Sequence, residues 1–115
     1  MSTTKVVLFD TQFAPATDTE MFESPTEGAG TIIDKMTATN IDSVNRSITA
    51  RIVPPDGTPT GTDFLIKTAT LTAGQCYLWP EVVGQMLAAG GTLRLEASAA
   101  GVIVVRASGR NETSS

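Results

Sequence analysis

Residues 92–105 constrain the fold of this chain more than any other stretch. Leu93, Leu95 and Ala97 alternate with Thr92, Arg94 and Glu96, and side chains that alternate in this way lie on opposite faces of one β-strand. The small-residue turn Ala99-Ala100-Gly101 then leads directly into Val102-Ile103-Val104-Val105, a run that is apolar on both faces. One of those faces belongs to a core. The other, carrying Val102 and Val104, requires a second cover, and a subunit contact provides one.

The rest of the chain repeats the same grammar. Residues 5–9 form a short β-branched run, and residues 46–53 place Ile48, Ala50 and Ile52 on one face against Ser47, Thr49, Arg51 and Val53. Residues 63–71 and 76–79 read as further strands, separated by Pro54-Pro55-Asp56-Gly57, a polar loop at 58–62 and the Ala73-Gly74 turn. Between residues 31 and 40 the alternation is imperfect: Ile32, Asp34, Met36 and Ala38 would share a face, and the carboxylate among them predicts a bulge near Asp34 or a rim position. Residues 11–30 read as an irregular arm or loop that returns briefly to a strand pattern at residues 20–23, with Phe13 and Pro15 available to a neighbour. Only residues 81–89 have helical spacing, with Val82, Val83, Met86 and Leu87 on one side, Pro80 before and Gly90 after; Gly84 limits this to one or two turns. The expected architecture is all-β: a single antiparallel β-sandwich, jelly-roll-like, of about eight short strands with one short helical excursion, spanning residues 1–115 as one domain.

Composition removes most chemistry. There is no histidine, so Ser-His-Asp and Cys-His pairs and imidazole metal sites are excluded. The glycines form neither GxxxxGK[ST] nor GxGxxG, and no cofactor is expected. The carboxylates are spread singly, which reads as solvated surface. Asp56 and Asp63 bracket a loop, and an ordinary turn explains them better than a calcium cage. The single cysteine, Cys76, reads as a small buried apolar residue. A net charge of −4 with scattered basic residues argues against nucleic acid, and no apolar run reaches the ~20 residues of a membrane helix. Tyr77 and Trp79 share a strand face opposite Cys76 and Leu78; they either floor a glycan site or pack beneath the following segment. No enzyme template survives. The features left over are the arm, with Phe13 and Pro15, and the doubly apolar strand, with Val102 and Val104; both point to assembly as a homo-oligomer.

The segments TIIDKMTATNIDSVNRSITARIVPPDG and ATLTAGQCYLWPEVVGQMLAAGGTLRLEASAAGVIVVRASGRNE resemble a group of small bacteriophage and prophage virion structural proteins. The likeness runs over about residues 30–112 and is carried by turns: Thr39-Asn40, Ala73-Gly74-Gln75, Gly90-Gly91, residues 97–101, and Ser108 to Arg110 with Glu112. Gln75 and Gly91 stand where the group has acidic residues. The resemblance implies a head decoration or cement protein, or a tail or baseplate component with a glycan- or receptor-binding role. Its partner would be a major capsid protein or a tail protein, and its location the virion, assembled in the host cytoplasm. It implies no catalytic residues.

Overall fold

The computed structural model describes residues 2–58 and 64–113. Among the described residues nine strands follow one another: β1 (Ser2–Phe13), β2 (Thr19–Glu23), β3 (Gly30–Asn40), β4 (Arg46–Val53), β5 (Leu65–Leu71), β6 (Cys76–Tyr77), β7 (Met86–Leu87), β8 (Thr92–Ala97) and β9 (Ile103–Thr113). They build two antiparallel sheets. Sheet A has the order β1-β9-β3-β6, with β7 also paired to β3; sheet B has the order β2-β8-β4-β5.

The alternation in each strand decides which side chains meet between the sheets. Leu8, Phe9, Ile33, Met36, Ile103 and Val105 come from sheet A, and Ile48, Ala50, Leu71, Leu93 and Leu95 from sheet B, in one contiguous core. Burial of this apolar surface is the main force holding the sandwich-like pair together, at roughly 25 cal/mol per Å². The molecule is elongated, 49 × 27 × 20 Å, as befits strands of eleven and twelve residues.

The ladders of sheet A shift register at three places, between Ile33 and Lys35, Val7 and Phe9, and Phe9 and Gln12, and the first two flank the middle of β9. The register of β3 against β9 shifts between Ile33 and Lys35, with Asp34 as the extra residue. Because a bulge reverses the phase of the pleat, Thr31 and Ile33 point inward before it and Met36, Ala38 and Asn40 after it, all buried, while Ile32 leaves the inward set. On the other side of β9 the register of β1 shifts between Val7 and Phe9, so both Leu8 and Phe9 are buried. These two shifts thus flank residues 107–109 of β9. Here the strands approach so closely that a Cβ on Gly109 would lie 2.1 Å from the Ile32 carbonyl oxygen; glycine is the one residue that fits.

Three expectations are corrected. The strand pattern at residues 20–23 is β2, but the irregular arm before it is short: β1 runs to Phe13 and β2 begins at Thr19. Only residues 14–18 connect them, crossing from sheet A to sheet B. Ala14 N–H donates to the Ile103 carbonyl (2.8 Å) and the Pro15 carbonyl accepts from Ala97 N–H (2.8 Å), one bond in each sheet. Residues 81–89 form turns and the short β7, and no helix occurs among the described residues. Val82 N–H and Val83 N–H both donate to the Trp79 carbonyl, but Gly84 takes φ +93° and sends its N–H to Ile33 instead, ending the turn and handing the chain to β3. Cys76 is exposed, since in the two-residue β6 it pairs with Thr39 on the outward side while Tyr77 turns inward.

Candidate functional site

The outward face of sheet A brings together two of the four residues singled out for assembly, Phe13 and Val104. Phe13 lies opposite Val104 on β9, Val104 opposite Thr39 on β3, and Thr39 opposite Cys76 on β6. This makes one cross-strand row. Phe13 is 50% exposed and Val104 half-buried, whereas the flanking Ile103 and Val105 are buried in the core. Val102 sits just before β9, partly packed on the core, and its carbonyl accepts from Ile41 N–H. Pro15 is half-buried in the crossing segment. The row is therefore bordered by the 56% exposed Ile41 and by Leu78, which is 55% exposed. An apolar end to a solvent-facing sheet is an adhesive surface. Of the two apolar faces expected for residues 102–105, one carries Ile103 and Val105 in the core; on the other, Val104 stands between an exposed Phe13 and a half-buried Thr39.

Further along the same face the character becomes polar. Two shallow depressions adjoin at Ser108. One, of about 280 Å³, is lined by Lys5, Val6, Val7, Asp34, Ser108 and Gly109; the other, of about 300 Å³, by Lys35, Thr37, Arg106, Ala107 and Ser108. Arg110 grips Asp34 in a two-pronged pair, Nε to Oδ2 at 2.9 Å and Nη2 to Oδ1 at 3.0 Å, which holds the guanidinium more firmly protonated. The bulge thus points Asp34, which lines the first depression, out to the Arg110 cation.

Tyr77 and Trp79 are placed elsewhere. The indole of Trp79 is completely buried, so it cannot floor a glycan site; it packs edge-on against Tyr77, with ring centroids 5.1 Å apart and planes at 66°. Trp79 also holds φ +52° immediately before Pro80, a conformation bulky residues rarely adopt. Burial of the ring and the two hydrogen bonds to its carbonyl offset that strain. The Tyr77 hydroxyl donates to Glu81 Oε1 in a short bond. Desolvation, and then this bond to a carboxylate, push the Tyr77 hydroxyl up to about 12, while the same bond lowers Glu81. Tyr77 is the only tyrosine, so its titration can be followed directly by tyrosinate absorbance. The midpoint is expected near 12 in the folded protein against 10 for an ordinary tyrosine. The folded state holds this proton more tightly than the unfolded one, so the associated stability is fully present below pH 10 and lost as the pH rises towards 12. A Tyr77→Phe variant should lack this alkaline loss. A midpoint at the ordinary value would show the bond to be absent.

Other polar residues went unnoticed at the level of pattern. Asn40 is fully buried: its Nδ2 donates to the carbonyls of Val44 (2.9 Å), Leu71 (3.0 Å) and Thr72 (3.2 Å), and its Oδ1 accepts from Asp42 N–H (2.9 Å). It joins the β3–β4 turn to the end of β5. Asp18 anchors the crossing segment on sheet B, accepting from Arg94 Nε (2.9 Å) and Arg51 Nη1 (3.2 Å), two guanidinium groups that sit directly opposite each other on neighbouring strands. Ser24, Thr31 and Asn111 form a buried hydroxyl chain in which Thr31 donates to Asn111 Oδ1 (2.6 Å) and Ser24 to Thr31 (2.8 Å). Of the Asp56 and Asp63 pair, Asp63 lies outside the described residues.

Fold and surface together define an all-β chain of two antiparallel sheets with one outward face that is apolar at one end and charged along its middle. No protein-family model, no curated protein and no solved structure matches it. No helix among the described residues is long and apolar enough to cross a membrane.

Proposed function

We propose that the protein is a non-enzymatic virion structural protein, a capsid decoration or cement protein that binds a major capsid protein as a homo-oligomer and stabilises the head through many repeated contacts. The observation that carries this reading is the convergence of Phe13 and Val104 on an outward sheet face, with the exposed Ile41 and Leu78 at its border. The likeness of residues 30–112 to small phage virion proteins supports it. So does the strand arrangement, which we read as a jelly roll: β1 lies beside β9, β2 beside β8, β3 beside β6 and β7, and β4 beside β5, the nested pairing of two rolled-up Greek keys. That architecture recurs in viral capsid domains, and equally in lectins and cupins, so the surface rather than the fold bears the functional argument.

Mechanically, each copy contributes a modest contact, and a lattice of copies multiplies it, because after the first contact forms the others are effectively intramolecular. Val104→Asp tests this directly. The substitution places a charge on a half-exposed face, so the chain is expected to keep a cooperative melt while losing at least tenfold in binding to phage particles that lack the protein, measured by co-sedimentation. Unchanged particle binding overturns the assignment of this face, and failure of the unaltered protein to bind either heads or tails overturns the virion reading. Binding to tails in preference to heads moves the protein to the tail or baseplate.

A further inference from the structure

The charged middle of the same face has a geometry of its own. Lys35 is opposite Ser108 and Thr37 opposite Arg106, and all four line one depression. Two cations therefore occupy one diagonal of a cross-strand square and two hydroxyls the other. Diagonal neighbours on a sheet face are roughly 7–8 Å apart, close enough for one carboxylate to be reached from both sides by long basic side chains while the hydroxyls donate from the remaining corners. Among the described residues Lys35 has no carboxylate in ion-pair range, and Arg106 reaches only Asp10, at 3.5 Å through a side chain that is 85% exposed.

The chain carries the complementary surface elsewhere. Glu20 and Glu23 on β2 are exposed, and among the described residues neither has a cation in ion-pair range. Arg94, which faces Glu20 across the ladder, is turned to Asp18. β2 is also an edge strand of sheet B, with β8 as its one neighbour there. Among the described residues, an unpaired lysine beside an arginine held only by the exposed Asp10 thus lies on the outward face of sheet A, and two carboxylates without an ion-pair partner lie on the edge of sheet B. In one copy they belong to different sheets and do not meet.

We propose that Lys35, Thr37, Arg106 and Ser108 receive the carboxylates of Glu20 and Glu23 from a second copy, so that copies associate head to tail. Because the two surfaces differ, the contact is heterologous and propagates into a ring or an open row. It leaves the apolar Phe13–Val104 end of the face free for a different partner. The inference rests on the reading of this face as an assembly surface, and it names one occupant.

The experiment is sedimentation of the full chain across a concentration series at low and moderate salt. The unaltered protein is expected to form concentration-dependent oligomers that weaken as salt screens the contact. The double variants Lys35→Glu with Arg106→Glu, and Glu20→Lys with Glu23→Lys, should each lose association at least tenfold. An equimolar mixture of the two should regain it, because each variant then meets a surface of opposite sign. Should charge reversal prevent folding, Lys35→Gln with Arg106→Gln gives the same reading without reversal. A monomer at every concentration, association indifferent to both double variants, or a mixture that stays apart overturns the inference. Particle binding is read separately: a monomeric protein that still binds particles overturns the head-to-tail contact alone, and an oligomer that binds none overturns the virion reading alone.

Discussion

Leu95→Asp is expected to abolish the cooperative fold. Leu95 is fully buried at the centre of sheet B, paired with Thr19 on β2 and Ala50 on β4. It belongs to the core shared by both sheets. No cation is on that face of β8, since Arg94 points the other way, to Asp18. A carboxylate there is either ionised without a partner or protonated at a cost, and the penalty of several kcal/mol is a large part of a total stability of roughly 5–15 kcal/mol. Thermal unfolding followed by circular dichroism should show no cooperative transition. A melt close to that of the unaltered chain would mean that the inward face of β8 is wrongly assigned. The pairing with Val104→Asp is informative because both replace an apolar strand residue by the same charge, and only the face differs.

The second large effect is expected at Asn40. Its amide serves three backbone carbonyls and one backbone N–H in a buried position, and leucine of similar volume would leave them without a partner. Each buried polar group so orphaned costs about 1–3 kcal/mol. Asn40→Leu should therefore lose roughly 3 kcal/mol or more, lowering Tm by about 10 °C. Asn45, exposed in the same turn, is the control: Asn45→Ala should change stability by less than about 0.5 kcal/mol. Chemical denaturation of the two variants compares them. Equal small losses would show that the Asn40 bonds contribute little.

Asn40 also illustrates where pattern reading stops. In sequence it is one polar residue in a turn-rich stretch, Thr39-Asn40-Ile41-Asp42. Its burial comes from the carbonyls of Leu71 and Thr72, more than thirty residues away, which no local window contains. Asp34 is the opposite case: a carboxylate interrupting an apolar alternation is a local signal, and it located the bulge. Free cysteines are usually buried, whereas Cys76 fills the outward position of a two-residue edge strand. The apparent helix at residues 81–89 had the right spacing of apolar residues, with Val82 and Leu87 buried, but the Gly84 N–H found a better partner in Ile33 of β3 than in the next turn of a helix.

The candidate surface divides in the same way. That Val104 and Phe13 are apolar and in strand or loop could be read along the chain; that they are directly opposite each other could not. β9 lies between β1 and β3, strands almost a hundred and about seventy residues away in sequence.

By itself, then, the sequence determined the class of structure and the inward faces of the regular strands. A period of two is a property of the strand backbone, and turn residues such as Pro54-Pro55-Asp56-Gly57 act locally. The tertiary structure decided the order of strands in each sheet, the phase of the faces beyond each bulge, the burial of Asn40 and Trp79, and the row Phe13-Val104-Thr39-Cys76. Those depend on which distant backbone groups satisfy one another once the two sheets close on a common core. The free energy that selects them is a sum over the whole molecule, and no single segment contains it.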